Sequence, residues 1–403
     1  MRVSSDFLYK HNIGLFSVFE FTRALIFIVS IWVAYERQYI TAAQLTFLEG
    51  VILGSQLLLE LPTGALADLI GKRYTVALGY IVKSIALLVY GYSTNFSGFF
   101  VYALVFGFGE ALESGAREAL LYDTLKEAKK EGEYDKVGSR MGIIFQTALS
   151  GATFIGGLLG MIALQLPIWC YAASMMITGL LTLKFIEPHI DTEKFTLRRY
   201  LLQTKRGVDE ILRTPYTKKI SLYYILVGGI SWSCMLMFNT IFMVDLGYSV
   251  GELGTVGAFQ RLFNSIVLFR LVHIGRFVTK TNVYIFFPIL MTIALLPGVY
   301  LTKWIAIPFV SMAMMSSTAR WVILGKYVNE EFSSNNRATA LSTLSMAIGI
   351  MYVLFAWVSG PIIEWYGSSS IIYTMFGVLA TVTILPLGIH LSRFHASSPA
   401  SQS

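Results

Sequence analysis

Apolar runs of about 20 residues recur along this chain, and each is long enough as a helix to cross a hydrocarbon layer about 30 Å thick. About twelve can be drawn, near 11–35, 41–66, 73–92, 98–124, 138–163, 167–187, 219–245, 253–275, 282–301, 304–328, 338–360 and 370–392. Inside a bilayer every backbone N–H and C=O must be paired within the chain, which leaves helices or closed barrels. The short alternating segments of roughly ten residues that build a barrel are missing. Composition agrees: of 403 residues 55% are hydrophobic and 14% charged, against about 25% charged in an average soluble domain. The expected fold class is an all-α membrane protein.

The polar start "MRVSSDFLYKHN" is not followed by a short apolar core with a small-residue cleavage site, so span one is expected to stay in the protein. Cys170 and Cys234 both fall inside predicted spans, which points to packing rather than a disulfide framework. The net charge of +7 is informative through its distribution. With a cytoplasmic N-terminus, Lys72, Arg73, Lys126, Lys129, Lys130, Lys136, Arg140, Arg276, Lys280, Lys326, Arg337, Arg393 and the basic stretch from Lys194 to Lys219 share one side. Only Arg37 and Lys303 lie on the other. Because Lys and Arg in short loops resist translocation, both termini are expected in the cytoplasm of a cell-membrane protein, and the positive charge does not imply a nucleic-acid partner.

The polar stretch Glu187 to Lys219 divides the spans six and six. The expected units are 1–187, a cytoplasmic linker 188–218, 219–393, and a tail 394–403 with no assigned role. Leu197, Tyr200, Leu201, Val208, Ile211 and Leu212 give the linker the apolar stripe of an amphipathic helix, either a connector resting on membrane lipids or a regulatory element. "NFS" at Asn95 matches a glycosylation sequon.

Between the second and third runs stands "GALADLIGKR". Gly64 allows close helix approach, Gly71 permits a turn closed to other residues, and Lys72 and Arg73 hold the inside position. Gly64, Leu66, Ala67, Asp68, Gly71, Lys72 and Arg73 match G-x-L-A-D-x-x-G-[RK]-[RK] position by position, and here the chain resembles the major facilitator superfamily. The resemblance implies two six-helix bundles that rock about a central cavity, alternating access. It also implies gating by this loop, with Asp68 engaging the start of span eleven, "SSNNRATALS", near Arg337. The loop after span eight, "HIGRFVTKTN", keeps Gly275 and Arg276 but no acid, so a second lock is expected to be degenerate.

Charges within spans cost at least about 2.5 to 3.5 kcal/mol each, so they normally face a partner or a wet cavity. In span four, Glu110, Glu113 and Arg117 share one helical face; Glu113 is a proton-coupling candidate and is also placed to pair with Arg117, which is within reach of Asp68. Glu110 lacks an intrahelical cation and is either the leading proton site or a carboxyl neutralised by a neighbouring helix. Where many relatives carry R-x-x-Q-G in span four, Gly115 matches but Ala111 stands at the Arg position. Glu20 and Arg23, three apart in span one, are a mutual pair or a proton and substrate contact; Lys83 needs an acid, with Glu49 one option. Trp232, Asn239, Arg261 and Arg320 are the substrate-cavity candidates of the second half. In span five, Ala152, Gly156, Gly157 and Gly160 partly match the antiporter pattern G-x-x-x-G-P-x-x-G-G, although small residues at this spacing also serve packing.

The resulting expectation is a monomeric secondary transporter, proton-coupled and exporting small amphipathic molecules. Uptake of an anionic small molecule, favoured by Arg23, Arg261 and Arg320, and a transport-inactive sensor are the alternatives. Neither an enzyme nor a cofactor is expected, because metal spacing, Walker A loop and nucleophile elbow are all missing.

Overall fold

A computed structural model describes residues 4–189, 197–274 and 279–396. The first helices are α1 (Ser5–Arg23), α2 (Trp32–Glu36), α3 (Ala42–Ile70), α4 (Lys72–Tyr92), α5 (Phe96–Glu127), α6 (Tyr134–Ile162) and α7 (Leu166–Thr182). They are followed by α8 (Leu197–Ile211), α9 (Pro215–Ser233), α10 (Asn239–Asp245), α11 (Val250–Ile274) and α12 (Lys280–Leu295). The chain closes with α13 (Ala306–Ala319), α14 (Gly325–Glu330), α15 (Arg337–Tyr366), α16 (Ser370–Leu379) and α17 (Leu385–Ala396). Among the described residues ten helical segments are long and apolar enough to cross a membrane. The shorter apolar α7 and the helix α11 stand where the sequence places spans six and eight, but are not among the ten.

Local chemistry explains where the helices start. Ser4, Asn95 and Thr279 accept from the backbone N–H three residues on, opening α1, α5 and α12. Reciprocal capping boxes, Thr41 with Gln44, Thr214 with Thr217 and Ser249 with Glu252, open α3, α9 and α11. Asn95, the sequon residue, is therefore also a structural cap. Gly71 has φ +95°, a conformation open only to glycine, and the Lys72 and Arg73 N–H groups that follow donate to the Glu187 carboxylate at 2.7 and 2.9 Å.

Two kinds of irregularity interrupt the spans. Span one is broken: α1 stops at Arg23, a 3-10 turn covers Phe27–Ser30, and α2 resumes at Trp32. At the break the Thr22 carbonyl, which also accepts the Leu25 N–H at 3.2 Å, accepts the Ser174 hydroxyl at 2.5 Å. Gly156 of α6 meets this break so closely that a Cβ there would overlap the Phe27 carbonyl oxygen. The other irregularity is a set of three π-helical turns, Cys234–Phe238, Arg320–Leu324 and Ala380–Ile384, each inserted between two α-helices. Such turns re-aim side chains and recur at functional positions.

The chain divides into two compact units, one of residues 1–40, 51–197 and 249–262, the other of 41–50, 198–248 and 263–403. In the first, Phe16, Phe19, Tyr80 and Phe185 form an aromatic core, and Gly157 of α6 and Gly254 of α11 bring their backbones together. In the second, Phe242 stacks on Tyr373 and Phe376 lies between Phe238 and Phe355. Cys170 is a half-buried thiol and Cys234 a buried one, neither in a disulfide.

Candidate functional site

The first unit carries a chain of six charges. Glu20 and Arg23 come from the last turn of α1, Lys83 from α4, and Glu110, Glu113 and Arg117 from α5. Close approach of α4 and α5 brings Lys83 into place: a Cβ at Gly79 would stand 2.9 Å from Gly109 O, and one at Gly109 would stand 2.5 Å from Lys83 Cγ. The Lys83 stem therefore lies across Gly109, and its Nζ sits 2.9 Å from Glu110 and 2.8 Å from Glu113. Glu113 reaches Arg117 at 2.7 Å; Arg117 lies 3.6 Å from Glu20, and Glu20 holds Arg23 at 2.7 Å. Arg23 also stacks over Phe145 and Lys83 over Tyr80. Three acids alternate with three bases, so the network is neutral and each charge has a counter-ion, the arrangement in which ionisable groups within a membrane are tolerated.

Of the two readings of Glu110, this geometry fits the carboxyl neutralised by a neighbouring helix, which supplies Lys83 as its cation. One sequence expectation is corrected. Lys83 does not take Glu49, whose carboxylate instead accepts from Tyr352 at 3.0 Å in the second unit. The expected Glu113–Arg117 and Glu20–Arg23 pairs are present.

The loop that carries the family motif is held by contacts within the first unit. Besides the Glu187 cap, Lys72 pairs with Asp123, and Arg73 donates to the Phe185 carbonyl at 2.9 Å and lies over Tyr74. Gly64 is half-buried in α3, and Asp68 is exposed near its end. Arg117 is engaged by Glu113, Glu20 and Glu118. The second unit repeats one element of this device: Lys280 pairs with Glu331 across 51 residues, the separation of Lys72 from Asp123. Gly275 and Arg276, the residues expected to mark a degenerate second lock, lie outside the described residues.

At the start of α15 the engaging acid inside the second unit is Glu210, from the linker helix α8. It accepts from the Ser333 N–H at 2.8 Å and the Asn336 side chain at 3.2 Å, while Arg213 pairs with it at 3.2 Å. Gly207 lies against Thr339 and Thr343 of α15. Of the expected apolar stripe, Leu201, Val208 and Leu212 are exposed and Ile211 is half-buried, whereas the Leu197 and Tyr200 side chains lie outside the described residues. Burial opposes charge on Glu210, but the donors from Ser333 and Asn336 and the nearby Arg213 outweigh it and hold the carboxyl below its usual range. A depressed acid contributes stability above its unfolded value and loses it as pH falls through the folded one. Hydrogen exchange of residues 197–211, corrected for intrinsic rates, should therefore quicken as pH drops below the ordinary value of about 4.3. In Glu210→Gln it should be fast already at neutral pH; equal protection of the two proteins would discount the clamp.

The polar centre of the second unit is simpler. Arg320 is 1% exposed and begins the π-turn between α13 and α14. Its guanidinium lies 5.0 Å from the Tyr224 ring and 4.6 Å from the Trp321 ring and bonds the Tyr224 hydroxyl. A Cβ at Gly228 of α9 would stand 3.3 Å from Arg320 Cδ, so that glycine makes room for the stem. Nε and Nη1 have no hydrogen-bond acceptor, and among the described residues no carboxylate pairs with Arg320. Ser317, one turn away and fully buried, has an unsatisfied hydroxyl. Asn239 is buried at the end of another π-turn; it accepts from Tyr373 and leaves its Nδ2 without a partner. Trp232 packs on Tyr352. Arg261, half-buried, falls in the first unit with Arg23, whereas Arg320 falls in the second. Among the described residues no three His, Cys, Asp or Glu side chains are grouped as a metal site.

Many helices long and apolar enough to cross a membrane, with compensated charges within them, make this a multi-pass membrane protein. Residues 13–319 match the family model of the Major Facilitator Superfamily, and the chain belongs to that family. It is a multi-pass secondary transporter for a small-molecule substrate. A crystal structure of the nucleoside transporter NupG, in a point-mutant form, is similar, with TM-score 0.78 and 14% identity over 93% of this chain and 99% of that one. A bacterial homologue of the human lysosomal transporter Spinster, in an inward-facing and unoccupied conformation, has TM-score 0.67 and 14% identity over 98% of this chain and 99% of that one. At such identities the likeness concerns the fold. Comparison with curated proteins finds no match by sequence.

Proposed function

We propose that this transporter moves a small organic anion across the cell membrane by alternating access between two six-helix halves, with Arg320 as the substrate-binding cation. The observation that carries the reading is a guanidinium 1% exposed in a spanning segment, stacked on aromatic rings, with Nε and Nη1 lacking acceptors. A cation at such depth is costly unless an anion completes it, and a guanidinium fork offers a carboxylate or phosphate two parallel hydrogen bonds. Ser317 and Asn239 add unsatisfied polar atoms in the same unit. Cytoplasmic termini belong to the same reading and are supported by the Lys and Arg asymmetry of the loops.

Export of an amphipathic molecule draws less support. Its proton site, Glu110, is held by Lys83, and the small residues of span five are used in packing, Gly156 on the break in span one and Gly157 on Gly254. Uptake, symport and exchange of an anion all remain compatible with Arg320.

The deciding experiment measures binding of small carboxylates, phosphate esters and neutral nucleosides to purified wild type and to Arg320→Gln. Anion dissociation constants should rise tenfold or more, a loss of about 1.4 kcal/mol, with the melting temperature retained because no carboxylate is stranded. A variant that melts early while keeping its preference among ligands would overturn the proposal.

A further inference from the structure

The residues 41–50 belong to the second unit although the rest of α3 belongs to the first. Their attachment to the last turns of α15 is close and specific. A Cβ at Gly360 would stand 2.6 Å from Ala43 Cα, and one at Gly50 would overlap the Trp357 ring. Phe47 stacks on Trp357, whose Nε1 donates to the Phe47 carbonyl at 3.3 Å, and the Ala43 N–H donates to Glu364 at 2.9 Å. At the inner edge of this seam lies Glu49. Its carboxyl accepts the Tyr352 hydroxyl, Tyr352 is 2% exposed, and Trp232 of α9 covers the phenol ring. Tyr352 is the one titratable side chain in hydrogen-bonding or ion-pair contact with Glu49 among the described residues. Glu364, the other acid of the seam, is bound to the Ala43 N–H about three turns of α15 away from Tyr352.

Every acid of the six-charge network has a cation, and among the described residues Glu49 has none. A carboxylate within a spanning segment without a counter-ion is costly, and one phenol hydroxyl does not replace an ammonium or guanidinium. The protonated acid carries no charge and keeps the hydrogen bond to Tyr352. We propose that Glu49 is a proton-binding site that is loaded while the start of α3 is docked on α15 and that gives its proton to water when this seam opens. The inference goes beyond anion binding at Arg320 and does not depend on it. It also moves the coupling ion from the six-charge network to the start of α3 in the second unit.

Infrared difference spectra of the purified protein, without substrate, test this directly. Wild type titrated from acid to alkaline pH should show the carbonyl stretch of a protonated carboxylic acid appear and vanish. In Glu49→Gln, which preserves shape, that band should be lost; in Tyr352→Phe it should persist at a shifted frequency and titrate over a shifted pH range. Hydrogen exchange of residues 42–50 should follow the same titration in wild type and become independent of pH in Glu49→Gln. A band that survives Glu49→Gln unchanged overturns the proposal. If Glu49→Gln fails to fold, an unshifted band in Tyr352→Phe does the same. Arg320→Gln should leave the band in place, so failure of the anion site and failure of the proton site are separate results.

Discussion

Lys83→Met should cost about 3 to 5 kcal/mol of stability, because it removes the one cation that holds Glu110 among the described residues and leaves Glu113 to Arg117. Methionine has nearly the same length and flexibility, so the loss reports charge rather than packing. The effect should appear as a large fall in melting temperature in detergent and a low yield of folded protein. A second substitution separates the causes: adding Glu110→Gln to Lys83→Met neutralises the stranded acid, and the double variant should regain about 1 kcal/mol or more, a coupling of the size expected for contacting groups, about 0.5 to 3 kcal/mol. The exposed pair Lys10 with Asp6, 72% and 65% exposed, is the comparison: Lys10→Met should change stability by no more than about 1 kcal/mol. If Lys83→Met melts like wild type, the six charges are not a mutually stabilising network.

How far the sequence carries depends on whether a feature is local. The turn from Gly64 to Arg73 was legible because its chemistry lies within ten residues: a positive φ at Gly71 and charges at a helix start are encoded side by side. The i,i+4 pair of Glu113 with Arg117 and the i,i+3 pair of Glu20 with Arg23 were legible for the same reason. Lys83 was not assignable to Glu110 and Glu113, 27 and 30 residues away, because the pairing depends on the register of α4 against α5, set by Gly79 and Gly109 on facing helices. The break in span one was hidden by composition. Its tail, "LIFIVSIWV", reads as an unbroken apolar span, and what stabilises the break, Gly156 and the Ser174 hydroxyl, lies far along the chain. The π-turns are silent in the same way, since they use the residue types of any apolar helix. Glu187 and Glu210 carry no local signal either, since the backbone N–H groups they accept, Lys72 and Ser333, lie 115 and 123 residues away.

The break in span one leads to the other large expected effect, at Gly156. It is the residue against which the start of the Phe27–Ser30 turn rests, and the first atom of any side chain there would overlap the Phe27 carbonyl oxygen. That neighbour is backbone and cannot rotate away. Relief needs movement of the Phe27–Ser30 turn or of α6 itself, and both are anchored: Ser30 Oγ donates to the Thr153 carbonyl at 3.3 Å, and Ala24, Ala148 and Leu149 form a buried cluster with Ile26, Val29 and Phe145. Gly156→Ala should therefore destabilise the protein by about 1 to 3 kcal/mol through overpacking, although alanine is the better helix former by about 1 kcal/mol in an unconstrained site. Gly151, in the same helix and with nothing within 4 Å of its Cβ position, supplies the opposite sign: Gly151→Ala should be neutral or stabilising. Because Phe145 also carries Arg23 on its ring, a displaced α6 should disturb the Glu20–Arg23 end of the charged network, and Gly156→Ala should lose transport out of proportion to its melting temperature. Equal melting temperatures for Gly156→Ala and Gly151→Ala would mean that the break in span one does not rest on this glycine.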